Sequence, residues 1–388
     1  MRDPAFALLP VIDRADKTVA WIMSAPGGAS DGVTVLDLLA AADDLARLGG
    51  GRPLLVPLPP AAVRATLSRG ARPGALVPLI ESAHMAELDA ALLRRAPGST
   101  TPLPIGLMAS STTFVPARAW AKSWCVLPTG DLAQLRQVSA SGAVPIAHGS
   151  DTRASRRALW QIPQALSYGA PVGAAAQRSE AAVSGLERVV RILVQLADGR
   201  GAGAELEALA DDDADVSRAL QHAISAAGIG ARPAAGGGAA VMAMRVLGRD
   251  PILQRLATVA AERSASAAGT ADLAAQLLVR AALTRACLLD DPRGTLAPTA
   301  YIAGFVSLLD IALAQPLALL VERLGASSGL APALLDRSGP LGDALDAAEA
   351  IANGWWADAG ARRPIERMGD AVRVAWRTAR RDLASLRT

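Results

Sequence analysis

The sequence predicts α/β plus all-α, with a first half of alternating strands and helices and a second half built only of helices. Three observations carry this. Up to about residue 180, short apolar runs alternate with helix-patterned stretches and with turns rich in Pro and Gly, the order that pairs strands in parallel. After about Ala181 that alternation stops, and each patterned segment repeats at the helical period. With 388 residues the chain can hold two or three cores of ordinary size, and 51% apolar content against 3% aromatic points to close helix packing through alanine.

Taken in order, residues 6–12, 18–23, 53–58, 75–80, 103–108, 124–127 and 144–147 read as strands. The first is followed at once by Asp13, Arg14, Asp16 and Lys17 rather than by a small-residue cleavage site. It therefore reads as a strand and not as a signal peptide, and the protein as cytoplasmic. Helical patterns at 33–48, 83–95 and 155–168 lie between strands, so parallel pairing and an α/β layout are expected, with a (β/α) barrel, complete or incomplete, among its forms. Periodic signal fades over 172–185, which sets the expected domains at 1–180 and 181–388.

In the second half, residues 186–197, 204–209, 214–227, 239–247, 251–267 and 270–289 read as helices. Asp211, Asp212, Asp213 and Asp215 stand just before one of them, where carboxylates cap free N–H groups, and they lack the spaced ligands of a calcium loop. Gly236, Gly237 and Gly238 follow no strand and precede no Lys-Ser or Lys-Thr, so they read as a flexible connector rather than a phosphate cradle. The stretch 301–356 holds three more helices, at 302–314, 316–324 and 340–353. Pro316 and Pro340 fit the first helical position, and Gly325, Gly339 and Gly354 fit the left-handed position past a helix end. Leu341, Leu345, Ala348 and Ala352 fall on one packing stripe. Asp310, Gln315 and Pro316 interrupt the apolar run around them, which argues against a membrane span. A last helix over 364–386 carries Arg367, Arg373, Arg377, Arg380 and Arg381, and Trp355 and Trp356 read as packing residues before it.

Few residues offer chemistry. The net charge of +3, from 39 basic and 36 acidic residues, does not announce a nucleic-acid partner. Cys125 and Cys287 form no metal or redox motif and read as small buried hydrophobes. Of His84, His148 and His222, none precedes an Asp, so the metal pair of a His-Asp phosphohydrolase is missing, and His222 reads as a packing or surface residue. No Gly-x-Ser-x-Gly elbow occurs.

In their order, several of these pieces resemble the carboxyl-terminal part of proteins that join an EAL-type domain to an HDOD domain. The carrying residues are 301–310, 316–324, the run Leu334-Leu335-Asp336-Arg337-Ser338-Gly339-Pro340-Leu341-Gly342, and 344–356. Upstream, 215–228 is similar to the HDOD helix that usually ends in Asn-Ser-Ala, here Ser225-Ala226-Ala227, and Leu247-Gly248-Arg249 matches the turn that follows it. The resemblance covers about residues 183–388. It implies that the first half is an EAL-type barrel, whose family hydrolyses cyclic di-GMP with two metals held by carboxylates and an Asn at strand ends.

At the matching positions this chain has other residues. The first Glu falls at Ile22, the Asn at Pro57 after Gly51-Arg52-Pro53, and the next Glu at Pro78, with Glu81-Ser82 still fitting the family's ending. The paired Asp residues fall at Met108 and Ala109, and Lys-x-Asp falls at Val126 and Pro128. His148 and Asp151 take the two Glu positions within 147–152, and Val172 stands for the Gln before Gly173. Asp151 alone keeps a carboxylate, and the first 180 residues hold only 13. The resemblance with these departures implies a degenerate EAL-type barrel with no catalytic, cofactor-binding or metal residues and no cofactor.

The expected function is a non-catalytic signal-transduction scaffold that meets regulatory or signalling proteins in a cyclic di-GMP or two-component related pathway. The alternative is a nucleotide-sensing module without hydrolysis, in which Arg52, Arg64, Arg69 and Arg72 supply phosphate partners; solvated surface charge is the blander account of those arginines.

Overall fold

The computed structural model describes residues 6–15, 17–24, 51–68, 76–87, 105–109, 114, 116, 120, 122–127, 131–148, 156, 158–169, 180–200, 203–228, 236–268, 272–288, 294–327, 329–355 and 368–386. Two compact units emerge. One is Met1–Val172 with Ile351–Trp356 and Ile365–Asp370; the other is Gly173–Ala350 with Ala357–Pro364 and Ala371–Thr388.

In the first unit, eight strands close into a barrel in sequence order: β1 Ala7–Ile12, β2 Thr18–Ser24, β3 Leu54–Pro57, β4 Leu76–Glu81, β5 Gly106–Met108, β6 Trp124–Leu127, β7 Val144–His148 and β8 Leu166–Tyr168. From β2 to β8 the pairing is parallel, while β1 is antiparallel to both of its neighbours. The cause is local. The connection from β1 to β2 is a tight turn in which the Asp13 carboxylate accepts N–H bonds from Ala15 at 2.8 Å and Lys17 at 3.0 Å, too short for a crossover.

Side-chain alternation then sorts each strand into an inner and an outer face. Val11, Ala20, Ile22, Leu55, Leu79, Val126 and Ile146 pack together as the barrel's filling, with Val77, Met108, Trp124, Leu166 and Tyr168 against them. Gly106 supplies the room for one of these: a Cβ there would lie 2.6 Å from Leu79 Cδ2. Outside the barrel lie α1 Pro60–Ser68 and α2 Leu132–Ala140, the latter capped by Asp131, which accepts the Ala133 N–H at 2.9 Å. The outer-facing Cys125 is buried, and burial pushes its thiol up to about 12.

The second unit is helical: α3 Glu180–Ala197, α4 Gly203–Asp212, α5 Ala214–Ala226, α6 Gly237–Val246, α7 Arg249–Ala268, α8 Asp272–Cys287, α9 Ala297–Val306, α10 Leu309–Leu313, α11 Leu317–Leu324, α12 Leu330–Leu335, and most of α13 Gly339–Asn353 and α14 Gly369–Ser385. Every residue of α9 but its first is buried. It sits close against α8, since a Cβ on Gly304 would fall 2.6 Å from the Arg280 carbonyl oxygen and 2.8 Å from Ala281 Cα.

Several expectations change. The pattern read as a helix over 155–168 ends in strand β8, because Pro163 and the left-handed Gln164 (φ 60°) break it. The barrel is complete, with β1 running against the others. The helix expected at 302–314 is two, α9 and α10, parted at Ser307, whose hydroxyl donates to the Gly304 carbonyl at 2.8 Å. Pro316 lies outside α11 in an extended conformation (ψ 136°) rather than at its first position. Of the pattern at 83–95, the described part is the 3-10 turn Ser82–Glu87. The pattern at 33–48, with Asp151, Val172, Gly173, Arg69, Arg72, Trp356 and Arg367, lies outside the described residues.

Among the described residues no single helix is long and apolar enough to cross a membrane. The apolar pair Ala297–Leu313 and Leu317–Leu324 has the composition for it but bends by 119° at its break, where Ala314 is left-handed (φ 51°).

Candidate functional site

The C-terminal ends of parallel barrel strands are where barrel proteins place their sites, on the last inward-facing residues. On six of the seven parallel strands those are Ser24, Pro57, Glu81, Met108, His148 and Tyr168, each half-buried, and on β6 it is the buried Val126. Registers explain the set: Glu81 pairs with Met108, and His148 with Tyr168. The His148 and Tyr168 rings stand 4.7 Å apart at 35°, and burial holds the Tyr168 phenol well above its ordinary range. Glu81 Oε2 lies 3.8 Å from His84 Nε2 at the surface.

One step deeper the barrel is hydrocarbon. Ile22 and Met108, matched to EAL metal ligands, and Val126, matched to the Lys of Lys-x-Asp, belong to the apolar filling. Pro57 faces inward beside Leu79, whereas Pro78 lies on the outer face of β4, so on that strand the inward residues are Val77, Leu79 and Glu81. Among the described residues, no three His, Cys, Asp or Glu side chains gather as a metal-holding group. Among the described residues the mouth thus offers an imidazole, a neutral phenol and one carboxylate above an apolar floor.

Two polar clusters in the helical unit involve residues singled out in the sequence. At the first, Asp213 caps α5, accepting the N–H groups of Asp215 at 3.1 Å and Val216 at 3.2 Å. It also takes Arg263 in two hydrogen bonds, at 2.6 and 2.7 Å. Burial would raise the Asp213 carboxyl, but Arg263 and the two backbone donors outweigh it and hold it below the ordinary range. Asp212 pairs with Arg188 at 2.8 Å, and Asp211 caps α6, so the acidic run is a set of caps and ion pairs.

The second place explains the run at 334–342. Arg337 is left-handed (φ 53°), and a Cβ on Gly342 would fall onto its backbone. From there Arg337 reaches Glu349 at 3.0 Å and Asp346 at 3.4 Å on α13, and Glu349 lies 3.6 Å from the Arg280 guanidinium on α8. Arg280 is 4% exposed, and burial lowers its pKa against the pull of Glu349. This run is a helix-to-helix turn fastened by ions.

Of the other residues singled out, Cys287 is buried, His222 is exposed on a cleft, and Trp355 is 47% exposed rather than packed. On α14, Arg380 stands over the Trp376 ring at 6.0 Å and near Asp272 at 3.8 Å. No family model, curated protein or solved structure matches the chain. Tyr168 was hidden in sequence inside a helical pattern, although Pro163 and Gly169 bracket it as a strand. Arg263 and Arg280 gave no signal, because their partners lie about 50 and 70 residues away.

Proposed function

We propose that the chain is a non-catalytic signal-transduction scaffold, a degenerate EAL-type barrel followed by an HDOD domain, acting through protein–protein interaction in a cyclic di-GMP or two-component related pathway. The observation that carries the reading is the apolar filling at Ile22 and Met108, the positions matched to carboxylate ligands of a two-metal site, with Val126 in place of the motif Lys. The ion-fastened turn at 334–342 supports it as a framework feature, and exposed Leu319 and Leu335 on α11 and α12 supply apolar surface for a partner. Purified protein incubated with cyclic di-GMP and Mg²⁺ or Mn²⁺ is expected to give no linear product. Robust turnover overturns the reading. Capture from the native host by wild type, lost in Leu319→Glu, identifies the partner.

The second reading, a cyclic dinucleotide receptor without hydrolysis, is favoured by the facing His148 and Tyr168 rings, which offer a planar group at the mouth. Calorimetric titration with cyclic dinucleotides tests it, and absence of heat counts against it.

A further inference from the structure

The barrel rim between β1 and β2 is met by a segment from the far end of the chain. Ser24 ends β2 and pairs with Ala7, the first residue of β1, and two residues deeper Ile22 pairs with Leu9. Side-chain alternation turns Ser24 and Leu9 inward, on the same face as Ile22 and Val11 of the filling. Residues 351–355 belong to this same unit. Their Gly354 lies on the rim: a Cβ there would stand 2.9 Å from Ser24 Oγ, 3.1 Å from Ser24 Cβ and 3.8 Å from Leu9 Cδ1.

Two properties of Gly354 permit this approach. It has no side chain to overlap the serine, and it takes the left-handed backbone (φ 71°) past a helix end, its N–H donating to the Ile351 carbonyl at 3.1 Å. The segment therefore turns at the rim. Its two ends are held unequally, since Ile351 is 1% exposed and Trp355 is 47% exposed. Local opening starts where buried apolar contacts are few, which is the Trp355 end.

We propose that residues 351–355 form a strap across the barrel mouth. Seated, the strap closes the β1–β2 side above Ile22; lifted, it opens that side to solvent. Gly354 leaves no room for a methyl group at Ser24, so the seated strap and a guest reaching Ile22 past this rim exclude each other. The apparent affinity of such a guest is its intrinsic affinity multiplied by the lifted fraction. The device depends neither on the scaffold reading nor on which guest the mouth takes.

Thiol labelling of the full chain tests it. Ser24→Cys places a thiol at the rim, while the chain's own Cys125 and Cys287 are buried. With the strap seated, a bulky maleimide is expected to label the new thiol at least about tenfold more slowly than in urea. Adding Gly354→Val, whose side chain overlaps the rim and whose branched Cβ resists the left-handed backbone, should raise the folded-state rate at least about tenfold. Ile351→Ala loosens the strap at its buried end and should raise the rate as well, which keeps the test open if Gly354→Val does not fold. Circular dichroism reports whether each variant is folded. A folded Ser24→Cys chain that labels as fast as in urea, or a rate left unchanged by the folded strap variants, overturns the proposal.

Discussion

Asp211 Oδ1 accepts the N–H of Gly237 at 2.6 Å where α6 begins, joining the acidic run to the glycine cluster. A Cβ on Gly237 would lie 2.9 Å from the other oxygen of that carboxylate, and one on Gly236 would overlap the carboxylate itself. Gly236 also takes a backbone conformation that side chains avoid (φ 59°, ψ −139°). The glycines are thus a seat for a cap, not a flexible connector. Asp211→Ala is expected to cost ~1 kcal/mol as a lost cap. Gly236→Ala should cost ~1–3 kcal/mol through strain and overlap. In urea denaturation the double variant should cost less than the sum, because removing the carboxylate removes the overlap.

Gly304 marks the closest approach of α8 and α9. A methyl group there meets the Arg280 carbonyl oxygen and Ala281 Cα, which are backbone atoms and cannot swing aside. Gly304→Ala is expected to destabilise by about 1–3 kcal/mol as overpacking, although alanine is the better helix former. A higher melting temperature in the variant would show that the helices can part freely.

What could be read in the sequence follows the range of the interaction. Strands β1 to β7 and the helices α3 to α8 were legible because period and flanking Gly or Pro are local properties. β8 was not, since its three residues, Leu166–Tyr168, carry too little alternation to outweigh the helical pattern before them. The antiparallel β1 was written in the short turn at Asp13 but had no meaning until the barrel closed. At the candidate site, His148 was legible only through the resemblance, at a position matched to a Glu, whereas its neighbour Tyr168 comes from barrel closure. The cap at Asp213 was foreseen, and its ion pair to Arg263, 50 residues on, was not.

The Asp213–Arg263 pair gives an acid-sensitive contribution. Burial opposes ionisation of Asp213, but the bond from Arg263 and two backbone N–H bonds more than offset it, so its folded pKa is lowered. The sign follows: the contribution is present above the ordinary carboxylate pKa of about 4 and is lost as pH falls through the lowered folded value. Arg263→Gln should cost about 2 kcal/mol at neutral pH, the worth of a charged hydrogen bond. That difference should shrink in acid, read from melting temperatures across pH 2–7.

Asp310 works in the opposite direction. Burial raises its carboxyl pKa against help from the Ile311 N–H and the Arg337 charge, and Oδ1 has no hydrogen-bond partner among the described residues. Its contribution is most favourable below the ordinary carboxylate pKa of about 4 and is lost as pH rises through the raised folded value. Asp310→Asn removes the ionisation, so it should raise the melting temperature near pH 7 and lose that advantage near pH 3. An advantage of equal size at both pH values would assign the gain to packing instead.

A carboxylate placed at Ile22, the position matched to the first EAL Glu, tests the scaffold reading from the other side. Ile22 is 4% exposed and packed in the filling with Val126 and Leu79, so Ile22→Glu places a carboxylate among hydrocarbon with no cation beside it in the cluster. Leaving a buried charge uncompensated costs about 3–5 kcal/mol, unless the group takes up a proton. The variant should therefore melt lower at pH 7, recover part of the loss as pH falls toward 5, and gain neither metal affinity nor cyclic di-GMP turnover. If Ile22→Glu instead bound Mn²⁺ without loss of stability, the barrel would retain a latent ligand set, and the departures from the EAL pattern would be a shallow loss rather than a refilled interior.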